Sequence, residues 1–323
     1  MQQNILNKEP LMGSPNWGES KYWSYKDLNV HYRVTGKESN PSIILIHGFG
    51  ASSDHWRNNA EIFASEGFRV FGLDLIDFGK SAQNLQRKIK HLDNLFWANQ
   101  LSSFLDEIVD IKKNGKVILI GNSLGALTAI TTLSERPELI KTIIAAPLPE
   151  PVFVNPIKCY FPTWLVRVKS FLIKIVFHLF PLKSLVNLIS RTKLINIALQ
   201  SAYFSSISND TPLKRIVTVP ARRVNASKAL RAMCIGMSIR PDSAKGPSII
   251  EKLQNLSNRP PILLIWGKQD KLIPIFLAKK LIKLHPWLKL TVINEAGHCL
   301  HDELPKHFNQ IVLKWLKNLK NSK

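Results

Sequence analysis

Short apolar bursts recur along the chain, each ended by a polar, glycine- or proline-marked break. SIILIHG (residues 42–48) and KVILIGNS (116–123) are apolar without alternation, as strands buried on both faces are. FRVFGLD (68–74), KTIIAA (141–146), PILLIWG (261–267) and KLTVINEAG (289–297) repeat the burst, whereas NVHYRV (29–34) reads as an antiparallel edge strand. Between the bursts, 94–109, the LGALTAITTLSERP stretch up to Pro137, and 308–319 carry helical spacing. Strands alternating with helices predict an α/β fold, a mostly parallel central sheet flanked by helices.

From Pro147 to about Asn258 this alternation lapses into proline-punctuated segments with helix-like apolar spacing. The reading is a helical cap inserted into the sheet, with a flexible leader over 1–20, a first core part over 21–146, the cap over 147–258 and a second core part over 259–323. No internal repeat or low-complexity tract interrupts this plan. The leader holds no apolar run of signal-peptide length. The longest apolar stretch, 171–189, is broken by Lys174, His178, Pro181 and Lys183, which argues against a spanning helix.

Charge changes the picture in the cap. The chain carries a formal net charge of +21. Between Pro151 and Ile250 stand fifteen Lys and Arg against only Asp210 and Asp242, so thirteen of those charges lie there. Over 151–209 there are seven bases and no acid, among large apolar residues that include Phe153, Tyr160, Phe161, Trp164, Phe171, Phe177 and Phe180. Such a cap can wall a greasy pocket, and its basic face can rest on an anionic membrane at about 1 kcal/mol per juxtaposed base. The competing reading is a solvated basic surface. Nucleic acid is not expected, because no nucleic-acid module accompanies the bases. Three scattered cysteines argue against a disulfide framework or a CxxC metal site, and point to a reducing, cytoplasmic compartment, peripheral to a membrane if the cap docks.

The candidate chemistry sits at the strand ends. Gly121-Asn122-Ser123-Leu124-Gly125 fits G-x-S-x-G between an apolar strand and a helix, the context in which a sharp turn lifts a serine hydroxyl above a sheet. A pentapeptide this loose recurs by chance, so the flanking elements carry the assignment. A serine nucleophile needs a base and an orienting acid. His298 follows the last strand, at the carboxyl edge where Ser123 also emerges. Asp270, in WGKQDKLIP, is the first candidate acid, against the bland reading of a solvated turn aspartate. Glu150, after strand 141–146, is the reserve. His47-Gly48-Phe49-Gly50 ends the first buried strand, so the backbone N–H groups of Phe49 and Leu124 are the candidate oxyanion donors. This chemistry needs neither metal nor organic cofactor.

Together these residues resemble the α/β-hydrolase family from about Tyr22 to Leu319. The resemblance implies the order Ser123, Asp270, His298 for nucleophile, acid and base. HGFGASSDHWR, DLIDFGKS, GNSLG and AGHCLHDELP look like a branch of plastid and cyanobacterial hydrolases that includes pheophytinase, which removes a phytyl ester. Asp77 departs from that pattern, standing where the family usually has glycine. Epoxide hydrolases and haloalkane dehalogenases of this fold need an aspartate at the elbow, where this chain has Ser123. The expected function is hydrolysis of a small hydrophobic carboxylic ester through an acyl-enzyme. A carbon–carbon bond hydrolase or an acyltransferase with the same triad is the alternative, and a non-catalytic binding protein on the same fold the further one.

Overall fold

The computed structural model describes residues 16–83, 92–150 and 163–321. Among them, β1 (Glu19–Tyr25), β2 (Leu28–Thr35), β3 (Ser42–Ile46), β4 (Arg69–Leu73), β5 (Val117–Gly121), β6 (Ile140–Ala145), β7 (Ile262–Gly267) and β8 (Lys289–Ile293) form one sheet. Their spatial order is β1-β2-β4-β3-β5-β6-β7-β8. β1 and β2 pair antiparallel, as do β2 and β4, and every later pairing is parallel.

The first helices are α1 (Ala60–Ser65), α2 (Asn94–Phe104), the single turn α3 (Ile111–Asn114) and α4 (Leu124–Glu135). A run without strands then holds α5 (Thr163–Leu179), α6 (Leu182–Arg191), α7 (Leu194–Gln200), α8 (Thr211–Ala221) and α9 (Ala226–Ile239). The chain closes with α10 (Gly246–Gln254), α11 (Ile275–Leu284), the short α12 (Leu300–Glu303) and α13 (Pro305–Asn321).

Continuous apolar strands let each sheet face feed its own core. Ile44, Ile46, Leu119, Ile143, Leu264 and Trp266 point to the side covered by α2, α4, α10 and α11. Their neighbours Ile43, Leu45, Ile118, Ile120, Leu263 and Ile265 point to the side covered by α1 and α13. This is the side-chain period of two applied to strands with helices on both faces. From β3 the chain winds outward to β4 in one direction and to β5 in the other, so β3 and β5 are neighbours with Ile46 opposite Gly121. The carboxyl ends of such a pair mark the crevice where doubly wound sheets bind ligands.

Three sequence expectations change. The segment 29–34 is not the sheet edge, because β1 pairs along its outer side. β1 carries no apolar burst, because its residues are largely exposed, with only Trp23 and Tyr25 buried. The leader assigned to 1–20 is largely outside the described residues, but its described end includes Trp17, which is 2% exposed and packs in the α1/α13 core. Finally, α10 lies within the segment assigned to the cap, yet its Ile249, Ile250 and Leu253 belong to the sheet core.

Trp17 anchors the chain's entry to the sheet. Its indole N–H donates to the Ser53 carbonyl at 3.0 Å, and Arg33 donates to the Trp17 carbonyl at 2.7 Å. Its ring lies over Gly72, where a Cβ would sit 2.6 Å from Cζ2. Trp17→Ala is therefore expected to lower unfolding free energy by about 3–5 kcal/mol. Urea titration of both proteins checks this, and a loss under about 1 kcal/mol would place the residue outside the core.

Candidate active site

Ser123 sits between β5 and α4 at φ 52 and ψ −113, a backbone conformation that side chains other than glycine rarely adopt. The two glycines around it explain why the turn is this sharp. A Cβ on Gly121 would stand 2.4 Å from the Gly125 carbonyl carbon, and one on Gly125 would stand 2.2 Å from the Ile46 carbonyl oxygen. Helix α4 thus starts pressed against both β5 and the end of β3. The turn is held by Ser123 N–H to the Pro147 carbonyl at 3.1 Å and by Gly125 N–H to the Asn122 carbonyl at 2.8 Å. Strand β5 ends at Gly121, two residues before the end of the segment 116–123, which frees Asn122 and Ser123 for the turn.

Asn122, an unassigned position of the motif, ties the site together. It is 2% exposed, and its amide donates to the carbonyls of Ala146 at 2.6 Å and of His298 at 3.2 Å. Its side-chain oxygen lies where a Cβ on Gly48 would approach to 2.6 Å, so the glycine after His47 is a close-approach position. His47 fixes that loop from beneath. Its Nδ1–H donates to the Gly48 carbonyl at 2.8 Å and its Nε2 accepts the Leu75 N–H at 3.1 Å. Both bonds suit a neutral imidazole, and burial pushes its pKa down.

The loop after β8 carries His298, and the loop after β7 carries Asp270. His298 Nδ1 lies 2.9 Å from Asp270 Oδ2, both residues being buried. The other carboxylate oxygen accepts the N–H groups of Leu272 and Ile273, each at 2.8 Å. With Nδ1–H given to the carboxylate, Nε2 is the free nitrogen of the ring. Glu150 is elsewhere: it pairs with Arg240 and does not reach His298. Ser123, His298 and Phe49 line one cavity of about 580 Å³. Phe49 packs edge-on against Phe78, with ring centroids 5.8 Å apart. Leu124, the first residue of α4, keeps a backbone N–H with no acceptor inside its helix.

Most of the cavity wall is apolar and comes from the helical run: Val186 and Ile189 from α6, Leu199 from α7, Val217 from α8, Leu230 and Met233 from α9. Asp77 also reaches the wall, at φ 76, which is the conformation that a glycine in its place would favour.

Beside the cavity a buried polar clasp joins this run to the sheet. Arg57 donates to both oxygens of Asp302, at 2.8 and 3.0 Å, and to both oxygens of Asp210, at 3.0 and 2.5 Å. Asp210 also caps α8 by accepting the Leu213 N–H at 2.8 Å. His55 Nε2 donates to the Tyr203 hydroxyl at 2.8 Å, which donates to Asp302 at 3.1 Å. Glu303 accepts the Gly297 N–H at 2.7 Å and the Ser205 N–H at 2.5 Å, and the Ala202 carbonyl accepts the His298 N–H at 2.8 Å. The helical run therefore positions the histidine loop directly. The sequence alone gives these residues no role, although SSDHWR and HDE lie just after the Gly48 and His298 turns.

Comparison with known proteins places the chain in a family. The sequence model of the alpha/beta hydrolase fold matches residues 41–305. The chain belongs to the α/β-hydrolase family. It is similar to mouse epoxide hydrolase 4, with 24% identity over 96% of this chain and 83% of the relative. It is also similar to a 2-hydroxy-6-oxononadienedioate/2-hydroxy-6-oxononatrienedioate hydrolase of Burkholderia vietnamiensis, with 25% identity over 90% and 92% of the two chains. Among solved structures, a thermophilic esterase from Thermogutta terrifontis shares the fold at a TM-score of 0.66 and 18% identity, covering 94% of this α/β-hydrolase and 99% of the esterase.

The buried histidines at the clasp predict a loss of stability in acid. Burial pushes the His55 imidazole down to about 4, and pushes the buried His301, whose ring meets that of His55 edge-on at 4.6 Å, well below its ordinary value. The unfolded chain takes up a proton near pH 6.5 that the folded protein refuses until about 4, so stability is full above 6.5 and is lost as pH falls across that window. For His55 alone the loss is on the order of 3 kcal/mol. His55→Gln, whose amide can still donate to Tyr203, is expected to fall less steeply than wild type between pH 7 and 4.5 in urea titrations. Equal slopes would remove His55 as a source of the effect.

Proposed function

We propose that this α/β-hydrolase cleaves the carboxylic ester of a hydrophobic substrate through an acyl-enzyme on Ser123. The observation that carries the reading is the meeting of Ser123 and the Asp270-oriented His298 on the wall of one apolar cavity. In this reading the Ser123 hydroxyl attacks the ester carbonyl and its proton passes to His298 Nε2, while Asp270 holds the imidazole and stabilises its cation. The backbone N–H groups of Phe49 and Leu124 receive the developing oxyanion. Collapse expels the alcohol, which takes the proton from His298. Water, deprotonated by the same nitrogen, then attacks the acyl-enzyme and frees both the acid and Ser123.

Charge on the wall separates this reading from its nearest competitor. The hydrolase relatives named for nonadienedioate and nonatrienedioate act, by those names, on dicarboxylates. Among the described wall residues here there is no Lys or Arg, and Asp77 adds an acid. A dianion would be desolvated there without a counter-ion, which is costly. A neutral, greasy ester meets no such penalty. Epoxide opening on this fold needs a carboxylate nucleophile that forms an alkyl ester, and the elbow here carries Ser123 instead. A cavity of about 580 Å³ lies within the usual range for small-molecule sites and suits an acyl or prenyl chain, phytyl among them.

Ser123→Ala and His298→Ala are each expected to lower turnover of a p-nitrophenyl ester by about 10⁶, the loss seen when a triad nucleophile or base is removed. Asp270→Asn is expected to lose about 10³- to 10⁴-fold, and Glu150→Gln less than about tenfold. Rates over a series of rising chain length, with a phytyl ester beside it, are expected to climb with length. Loss of less than tenfold in Ser123→Ala would end the acyl-enzyme reading, and a Glu150 loss exceeding that of Asp270 would move the acid.

A further inference from the structure

Helix α5 buries one face and leaves the opposite one apolar. At about 100° per residue, Val168, Phe171, Leu172, Ile175, Val176 and Leu179 form a single stripe, and all six are exposed, Phe171 to 63% and Leu179 to 79%. The half-buried Ser170, Ile173 and Phe177 lie on the other side of the helix, the side held to α9, whose Arg231 donates to the Phe177 carbonyl at 2.8 Å. Among the described residues the stripe is therefore a second apolar face with nothing packed on it. Solvent-exposed helices normally carry polar residues there.

Charge frames the stripe. Lys169 flanks it on one side, and Lys174 and His178 on the other, all three exposed. From Thr163 to Asn209 the sequence has no acidic residue. Several bases of the helical run are used internally: Arg222 donates to the Ser190 carbonyl, Arg223 to the Gly79 carbonyl, Arg231 to the end of α5, and Arg240 pairs with Glu150. Lys174, Lys183, Arg191 and Lys193 are exposed and form no ion pair among the described residues.

We infer that the outer face of α5 and α6 docks on an anionic lipid bilayer, with the α5 stripe lying among the acyl chains and the flanking lysines among the headgroups. An apolar stripe edged by lysines is the pattern of helices that lie in the plane of a membrane interface, where long basic side chains reach back to the polar layer. Spanning is not the fit. No single described helix is long and apolar enough to cross a membrane, and the apolar pair Val168–Leu179 and Leu182–Arg191 bends by 50° at its break. Helix α6 also gives its inner face, Val186 and Ile189, to the cavity wall. A second copy of this chain fits the face poorly, since it would set Lys174, Lys183 and Arg191 of both copies together without an acid between them. The inference rests on exposure and charge alone, and holds whether or not the cavity cleaves esters.

Vesicle co-sedimentation of the full chain tests it, with phosphatidylcholine alone and with phosphatidylcholine containing about one-third phosphatidylserine. Wild type is expected to bind the anionic vesicles at low salt, to bind the neutral ones weakly, and to release partly as salt rises. The double change Phe171→Ser with Leu179→Ser is expected to weaken anionic-vesicle binding at least about tenfold, because two buried apolar side chains are lost from the lipid phase. Lys174→Glu with Lys183→Glu is expected to erase the preference for anionic over neutral vesicles. Both variants are expected to keep the wild-type thermal midpoint and rate on a short soluble ester. The inference is overturned if wild type ignores vesicle charge at low salt, or if the serine variant sediments like wild type. It is also overturned if lipid-free wild type forms a dimer that the serine changes abolish, which would assign the face to a second copy.

Discussion

The turn at Ser123 is the constraint around which the molecule is arranged. A non-glycine residue held at φ 52 costs on the order of 1–3 kcal/mol and persists only where its surroundings over-determine it. Here they do. Helix α4 leaves β5 so steeply that Gly121 and Gly125 pass within backbone contact of each other and of β3, and any Cβ there would collide with a carbonyl or an amide. That contact brings the carboxyl ends of β3 and β5 together, and Asn122 uses the junction to hold the β6 end and the His298 loop with one amide. The strained residue, the glycine loop after β3 and the histidine loop after β8 are thus one packing solution rather than three independent features.

The helical run is fastened to that centre by the clasp around Arg57. Desolvation opposes a buried guanidinium, but four donor bonds to two carboxylates raise its pKa above the ordinary value and keep it charged. Removing either partner from such a group leaves an uncompensated buried charge, so the clasp fixes geometry more than it adds stability. Asp210 both caps α8 and accepts from Arg57, the Ala202 carbonyl accepts the His298 N–H, and Ser205 reaches the same loop through Glu303, so the helical run bears directly on the position of His298.

This division explains what the sequence displays and what it hides. β3, β5 and β7 are visible because each is apolar on both faces, and the candidate residues Ser123, Asp270 and His298 are visible because each follows a strand, the one before His298 being only partly buried. The first strand is hidden, since an edge with Trp23 and Tyr25 as its only buried residues has no periodic signal. Asn122, Arg57 and Asp302 are hidden for a different reason. Polar residues gain meaning only from partners, and Arg57 meets Asp302 across 245 positions of chain. Helix α10 reads as part of the cap because local spacing shows that a helix has an apolar face, and nothing about which core that face enters.

The same ambiguity is sharpest in α5 and α6, and there it carries physical content. A soluble helix normally has one apolar face, and its periodicity reports burial. On α5 the apolar set at 168, 171, 172, 175, 176 and 179 has that periodicity, yet it is the face turned away from the protein. Helix α6 does both things at once: Val186 and Ile189 wall the cavity while Leu185 and Leu188 are exposed. The wall of the cavity and the outer surface are therefore one helix thick at this point. A hydrophobic molecule partitioned beside the outer face would be separated from the cavity by about 10 Å, the diameter of a helix with its side chains. That proximity ties the charge pattern of the surface to the apolar character of the cavity behind it, and gives the basic excess of this segment a location and not merely a magnitude.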